Sequence, residues 1–198
     1  AGAATALLEG RAYLFGGFDG TATLDTVECF NVLAGAWERL PRMMQRRNGA
    51  VAATLAGKIY VCGGHDGTMA LQSMERFNPF SNIWQPAPRM EERRRDAASG
   101  LIAGNFCVCG GSDDVFCLRS VAVFDFVEES WHRLPPMHSA RTGSASAVLR
   151  DKLFVCGGFN GTDRLSSVER FDYQGGFWEI VAPMSCCRAG AMALSVCL

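Results

Sequence analysis

The sequence predicts an all-β fold made of four copies of one four-stranded sheet, and three observations carry that prediction. First, five residue types recur at a fixed step of 47 residues. They are the glycine pairs Gly16-Gly17, Gly63-Gly64, Gly110-Gly111 and Gly157-Gly158; Phe30, Phe77, Phe124 and Phe171; Trp37, Trp84, Trp131 and Trp178, which are all four tryptophans; Met43, Met90, Met137 and Met184; and Arg47, Arg94, Arg141 and Arg188. A fixed period of roughly 20–50 residues marks an architecture in which each repeat buries its apolar face against the next. Second, no stretch sustains a 3.6-residue apolar period, so little helix is expected. Third, each repeat breaks into short β-rich runs divided by turn residues.

The second repeat shows the elements in order. "AVAATL" (Ala50 to Leu55) is small and apolar, and is expected to be a crowded, fully buried strand. Gly57 follows at a tight turn; Gly10 and Gly104 match it, and Asp151 takes the place in the fourth copy. Gly and Asp are what a hairpin with φ > 0 selects. "KIYVCGG" is the second strand, and its glycines allow backbone to approach backbone where a Cβ would clash. "SMERFNPF" alternates and is the third strand. "NIWQPAPRM" is the fourth, with Pro86 and Pro88 tolerable at an edge. Four antiparallel strands per repeat describe one blade of a β-propeller, with the aromatic of strand three and the Trp of strand four packed between blades.

The repeats run approximately 1–46, 47–93, 94–140 and 141–187. Four steps of 47 account for 188 residues and leave ten, "AGAMALSVCL" (Ala189 to Leu198), which match the innermost strand of a fifth blade. "AATALL" (Ala3 to Leu8) already fills that role in the first blade. The chain is therefore expected to be four complete blades plus the start of a fifth at 188–198, an arc cut from a longer propeller.

Composition narrows the function. A formal net charge of −1 gives no reason to expect nucleic acid, and hydrophobic residues at 48% suffice for a sizeable core. No apolar run approaches the ~18 residues of a membrane span. Cys62, Cys109 and Cys156 fall at one repeat position, where the first blade has Phe15. Equivalent positions in separate blades are too far apart for a disulfide, so these are expected to be reduced core cysteines of an intracellular, cytoplasmic protein. The remaining cysteines lack zinc spacing.

The pattern of glycine doublet, aromatic, Trp, Pro-Met and Arg resembles the kelch repeat across essentially the whole chain. "GGFDGTATLDTVECFN", "GGHDGTMALQSMERFN" and "GGFNGTDRLSSVERFD" look most like repeats of the kelch-like BTB-BACK-kelch proteins, substrate adaptors of cullin-type ubiquitin ligases. The third copy, "GGSDDVFCLRSVAVFD", departs, with Asp114 for the loop glycine and Ala122 for the strand glutamate. The resemblance implies a six-bladed propeller, of which this chain is expected to be a fragment, that recognises substrate by binding a protein or peptide segment and reaches a cullin-type ligase through domains not contained in these residues. The alternative is a cytoskeletal, actin-associated kelch scaffold. A metal-dependent kelch oxidase is a third reading, disfavoured because His65, His132 and His138 occupy different repeat positions and none has a nucleophile spacing. No catalysis, cofactor, membrane or nucleic acid is expected.

Two classes of position remain to be weighed. Asp19, Asp66 and Asp113 recur beside loop glycines, where Asp caps a turn. Arg47, Arg94, Arg141 and Arg188 each precede an innermost strand and are expected to hold blades together, through carbonyls or the strand-three Glu28, Glu75 and Glu169; an arginine ring for an acidic ligand is the other option. Positions that vary in one loop are free to specify a partner. They are Phe18, His65, Ser112 and Phe159 after the glycine pairs, Thr23 and Arg164 (with Ala70 and Cys117) six residues past the doublets, and Asn48, Arg95 and Thr142 after the arginines. In kelch-like adaptors these loop positions line the face that grips a substrate peptide.

Overall fold

The structure, a computed structural model, describes residues 1–193. Its strands form four antiparallel four-stranded blades. Blade 1 holds β1 (Ala4–Leu8), β2 (Arg11–Phe15), β3 (Val27–Asn31) and β4 (Ala36–Leu40). Blade 2 holds β5 (Val51–Leu55), β6 (Lys58–Cys62), β7 (Met74–Asn78) and β8 (Ile83–Ala87). Blade 3 holds β9 (Ala98–Ile102), β10 (Asn105–Cys109), β11 (Val121–Asp125) and β12 (Ser130–Leu134). Blade 4 holds β13 (Ala145–Leu149), β14 (Lys152–Cys156), β15 (Val168–Asp172) and β16 (Phe177–Val181). In every blade the strands pair in chain order, and no helix occurs among the described residues. Two compact units contain them: Ala1–Arg95 with blades 1 and 2, and the chain from Asp96 with blades 3 and 4.

Turn chemistry sets the hairpins. The first turn of each blade has two residues in the left-handed region: Glu9 and Gly10, Ala56 and Gly57, Ala103 and Gly104, Arg150 and Asp151. That is the turn whose twist matches the flanking strands. The turn between the third and fourth strands is shaped by a side chain at another 47-residue step. Asn31, Asn78 and Asp125 each accept the backbone N–H groups two and three residues on, and Asp172 accepts that of Gly175.

The glycine doublets stand where the sequence expects close backbone approach. The first glycine has φ of 62–66° in all four blades. A Cβ on Gly63 would collide with the Arg94 carbonyl oxygen, and one on Gly157 with that of Arg188. The arginine carbonyls accept the N–H of the second glycine: Arg47 from Gly17, Arg94 from Gly64, Arg141 from Gly111 and Arg188 from Gly158, at 2.7–2.8 Å.

Each unit has its own core. In the first, Phe15, Cys29, Ile59, Val61 and Phe77 are buried together with Met43. In the second, Cys107, Cys109, Val123, Leu153, Val155 and Phe171 pack with Met137 and Trp178. Burying one such side chain stabilises the fold by about 1.5–3 kcal/mol. The Trp joins blades as expected: Trp84 stacks against Phe77 at 5.0 Å, meets Phe15 of blade 1 edge-on and donates to the Pro41 carbonyl. Trp178 repeats this with Phe171 and the Pro135 carbonyl of blade 3. Trp37, on the outer face of blade 1, is 55% exposed.

One expectation is corrected, and one falls partly outside the described residues. The innermost strands are not fully buried; β5 alternates between buried and half-buried residues, and β1 leaves Leu7 exposed. An inner strand packs one face against its neighbour, as β1 does on β5 and β9 on β13, and the other face is not covered. The small residues serve that contact: Thr54 donates to the Leu7 carbonyl and Ser146 to that of Ser99. As for the fifth-blade strand at Ala189 to Leu198, residues 189–193 form no strand and 194–198 lie outside the described residues.

Candidate functional site

Two of the repeated arginines, Arg47 and Arg141, settle into a junction between blades, one in each unit. Arg47 leaves blade 1 and inserts into blade 2, only 1% exposed. Its Nη1 donates to the carbonyls of Gly63 (2.7 Å) and Ser73 (3.0 Å), its Nε to Glu75 (2.9 Å), and its Nη2 to the Ser73 hydroxyl (2.9 Å). Arg141 copies this in the second unit with Gly157, Ser167 and Glu169. The glutamate has a second task. Glu75 accepts the N–H groups of Met44 and Gln45, and Glu169 those of His138 and Ser139, in the turn that leads to the arginine. Burial pushes the Glu169 carboxyl up, but those backbone donors, Arg141 and the His138 ring outweigh it and hold it below its ordinary value. In the third repeat Ala122 stands at the glutamate position, and Arg94, equally buried, pairs with Glu92 two residues before it at 2.8 Å. These guanidinium groups are consumed by the scaffold, as the sequence expects.

The loop end of each blade is built from the positions that vary. In blade 2, Asn48 and His65 exchange backbone hydrogen bonds at 3.0 and 2.8 Å, and His65 bridges in turn to Ala70. In blade 4, Thr142 and Phe159 exchange bonds at 2.9 Å and Phe159 bridges to Arg164. Phe18 pairs with Thr23 in blade 1, with Ala1 on its other side, and Ser112 pairs with Cys117 in blade 3. In blades 2 and 4 the three loop positions singled out in the sequence are thus neighbours across one small ladder. Arg95 is half-buried at the end of the first unit.

Accessibility divides these residues. Phe18 is 39% exposed and Arg164 is exposed, lining a cavity of about 410 Å3 with residues 187–191. Asn48, His65, Thr142 and Phe159 are half-buried. Thr23 and Ser112 are 8% exposed, and so shape their loops. Thr23 lies beneath Gly67 of the next blade, and the Ser112 hydroxyl accepts the Asp114 N–H at 3.1 Å.

The loop tips hold what sequence reasoning missed. Asp19, Asp66 and Asp113 each accept two backbone N–H groups of the tip, and Asn160 does so in blade 4. The N–H groups of Ala22 and Thr21 pull the Asp19 carboxyl down to about 2. These are turn-forming roles. With the backbone so fixed, the tip side chains point away from it: Met69 is 40% exposed, Val115 74% and Phe116 69%. Val115 and Phe116 occupy the positions of Thr21-Ala22, Thr68-Met69 and Thr162-Asp163, so the signal was the same loop variation, one step along. The departure at Asp114 does not unfold this loop; it takes the left-handed conformation (φ 84°) that Gly20, Gly67 and Gly161 take elsewhere.

The histidines serve three unrelated contacts: the His65 ring with the Gly67 N–H, His132 with Glu128, His138 with Glu169. Among the described residues no group of three or more His, Cys, Asp or Glu is placed to hold a metal ion. Burial pushes the Cys62 thiol up to about 12 against the pull of Arg47 and Arg94, which leaves it an inert core filler. Among the described residues no helix is long and apolar enough to cross a membrane.

With this geometry in hand, comparison with known proteins is informative. The profile of the KLHDC2/KLHL20/DRC7 Kelch-repeats domain matches residues 1–158, and that of the Kelch motif matches residues 140–185. Among curated proteins no match was found. A solved structure titled "Structure of YjhT" superposes with a TM-score of 0.88 over 98% of this chain and 73% of its own, at 18% identity, and so shares the fold.

Proposed function

Since the chain belongs to the family of the KLHDC2/KLHL20/DRC7 Kelch-repeats domain, a family of protein-binding modules, we propose that its loop ends hold an extended segment of a partner protein, as the substrate-recognition part of a cullin-type ubiquitin-ligase adaptor. The observation that carries this is the division within each repeat. The bridge across each loop recurs in every blade, while the side chains after the doublets differ: Phe18, His65 and Phe159 are accessible, and Ser112 turns in to shape its loop. An apolar residue held on a rigid turn contributes contact area without an ordering cost at binding. In the first unit Phe18 and Met69 are the exposed apolar contacts, and in the second Val115 and Phe116, with Arg164 available for a carboxylate.

The test is capture from lysate with the full-length protein, beside a Phe18→Ala/His65→Ala variant and a Phe116→Ala/Phe159→Ala variant, read by mass spectrometry. The reading expects a small set of proteins to be lost with a variant while cullin-ligase subunits stay. If all three baits capture the same proteins, the loop ends are not the site. If a defined set is lost but no ligase subunit is ever captured, the binding role stands and the ubiquitin role falls.

A further inference from the structure

The turn between the third and fourth strands of blade 4 places a tyrosine against blade 3. The Tyr173 hydroxyl accepts from the Asn105 side-chain amide at 3.2 Å, its ring meets Phe171 edge-on at 6.3 Å, and it packs on the core that contains Cys107. Two repeat steps back, the positions of Asn105, Cys107, Phe171 and Tyr173 are held by Arg11, Tyr13, Phe77 and Pro79. Pro79 is too short to cross to the neighbouring blade as Tyr173 does. A cavity of about 200 Å3 lies there between blades 1 and 2, lined by Glu9, Arg11, Tyr13, Phe77, Pro79 and Phe80 among others. A cavity of about 150 Å3 is enough to hold a benzene ring. Tyr13 raises the floor of the slot without filling it; it is 4% exposed, and its ring lies parallel to that of Phe15 at 6.2 Å.

We infer that this slot binds a tyrosine side chain of a partner protein, at the end of the strands opposite the doublet loops. Tyr173 is the internal template for the occupant, and the residues that differ from its surroundings refine it. Tyr13 and Phe77 offer aromatic walls to an incoming ring. Arg11 stands where Asn105 donates to the phenol, and a guanidinium only donates. The tip of the occupant must therefore accept, which a phenol oxygen does and a phenyl ring edge or an ammonium does not. Arg11 is held in the fold by Glu38 at 3.4 Å, with the two side chains 42% and 43% exposed. An ion pair so exposed is weak and leaves guanidinium donors for a ligand. Two carboxylates, Glu9 and Glu38, surround that one cation, which disfavours a phosphate on the tyrosine. Phe80, 83% exposed on the lip, offers apolar contact to the residue beside the tyrosine.

The probe is an acetylated, amidated Gly-Tyr-Leu-Gly peptide, titrated to millimolar concentration into the 15N-labelled chain. The inference expects amide shifts at Arg11, Tyr13 and Phe80 and none at the loop-end residues Phe18 and His65. Affinity should fall about tenfold when the peptide carries phenylalanine or phosphotyrosine in place of its tyrosine, and likewise when the protein carries Arg11→Ala. Pro79→Tyr copies the plug of blade 4 and should abolish the shifts, with a thermal midpoint equal to or above the parent's certifying that it is folded. No shift at the Arg11, Tyr13 and Phe80 amides, equal binding of the phenylalanine peptide, tighter binding of the phosphotyrosine peptide, or unchanged binding by folded Arg11→Ala or Pro79→Tyr protein would overturn it.

Discussion

At the junctions, Arg47 meets Gly63, Ser73 and Glu75, and Arg141 meets Gly157, Ser167 and Glu169, with the same atoms bonded in both units. At the loop ends of the same blades the backbone bonds are again the same, but the side chains are Phe18, His65, Ser112 and Phe159. Identical surroundings go with identical residues, because a buried guanidinium needs its charge and donors satisfied, as Arg94 does with Glu92 where Ala122 replaces the glutamate; a side chain on a pre-shaped turn answers to whatever comes from outside. The difference teaches where stability and recognition reside, and each can be disturbed without the other.

The largest effect is expected at the junction. Arg141→Ala leaves the Glu169 carboxylate buried without its cation and should cost about 3–5 kcal/mol in urea unfolding. Arg188→Ala, the same substitution at an exposed position, should stay within about 0.5 kcal/mol. Equal costs would mean that the arginine's buried bonds to a second blade contribute nothing.

Next comes the doublet. Gly157→Ala meets both a left-handed backbone and the Arg188 carbonyl, and should destabilise by about 2 kcal/mol or more. Gly10→Ala, where a Cβ meets nothing within 4 Å, should cost only the backbone part, about 1 kcal/mol.

Acid should act on the same junction. Because the folded state holds the Glu169 carboxyl below its ordinary value near 4.5, its contribution is fully present above that pH and is lost as pH falls through the folded value. Unfolding midpoints should therefore decline below about pH 4.5, and less steeply in Glu169→Gln. A midpoint that rises in acid would contradict the sign. The smallest effect is expected at Asp114→Gly, which relieves a left-handed aspartate and should raise stability by roughly 0.5 kcal/mol.

The sequence made the blades legible because their defining residues are backbone requirements. Gly63 must be glycine for its φ and its neighbour, and the 47-residue step exposes that without any coordinates. Arg47 and Glu75 were legible as candidate partners because both recur at the repeat step, but position alone did not fix the pairing: Arg94 meets Glu92 instead, and Arg188 is exposed. The exposed inner strands were not legible: "AVAATL" is apolar because one face packs on a neighbouring strand, and composition does not tell one buried face from two. The same limit hid Val115 and Phe116. Their loop departs at Asp114, and whether an aspartate there breaks the turn or adopts the left-handed conformation is decided by the Ser112 hydroxyl and the Asp113 carboxylate, each holding a tip N–H. Thr23 and Ser112 read as contact residues by position, and burial set them inside the loop.

The measurement that tests the central claim most directly is paired: the unfolding midpoint and the partner affinity of a Phe116→Ala/Phe159→Ala protein, against the parent. The account predicts a midpoint that moves by a few degrees at most and an affinity that falls about tenfold or more. A protein that keeps its partner with unchanged affinity while its midpoint drops would place these phenylalanines in the scaffold, and the division between fixed junction and free loop end would be wrong.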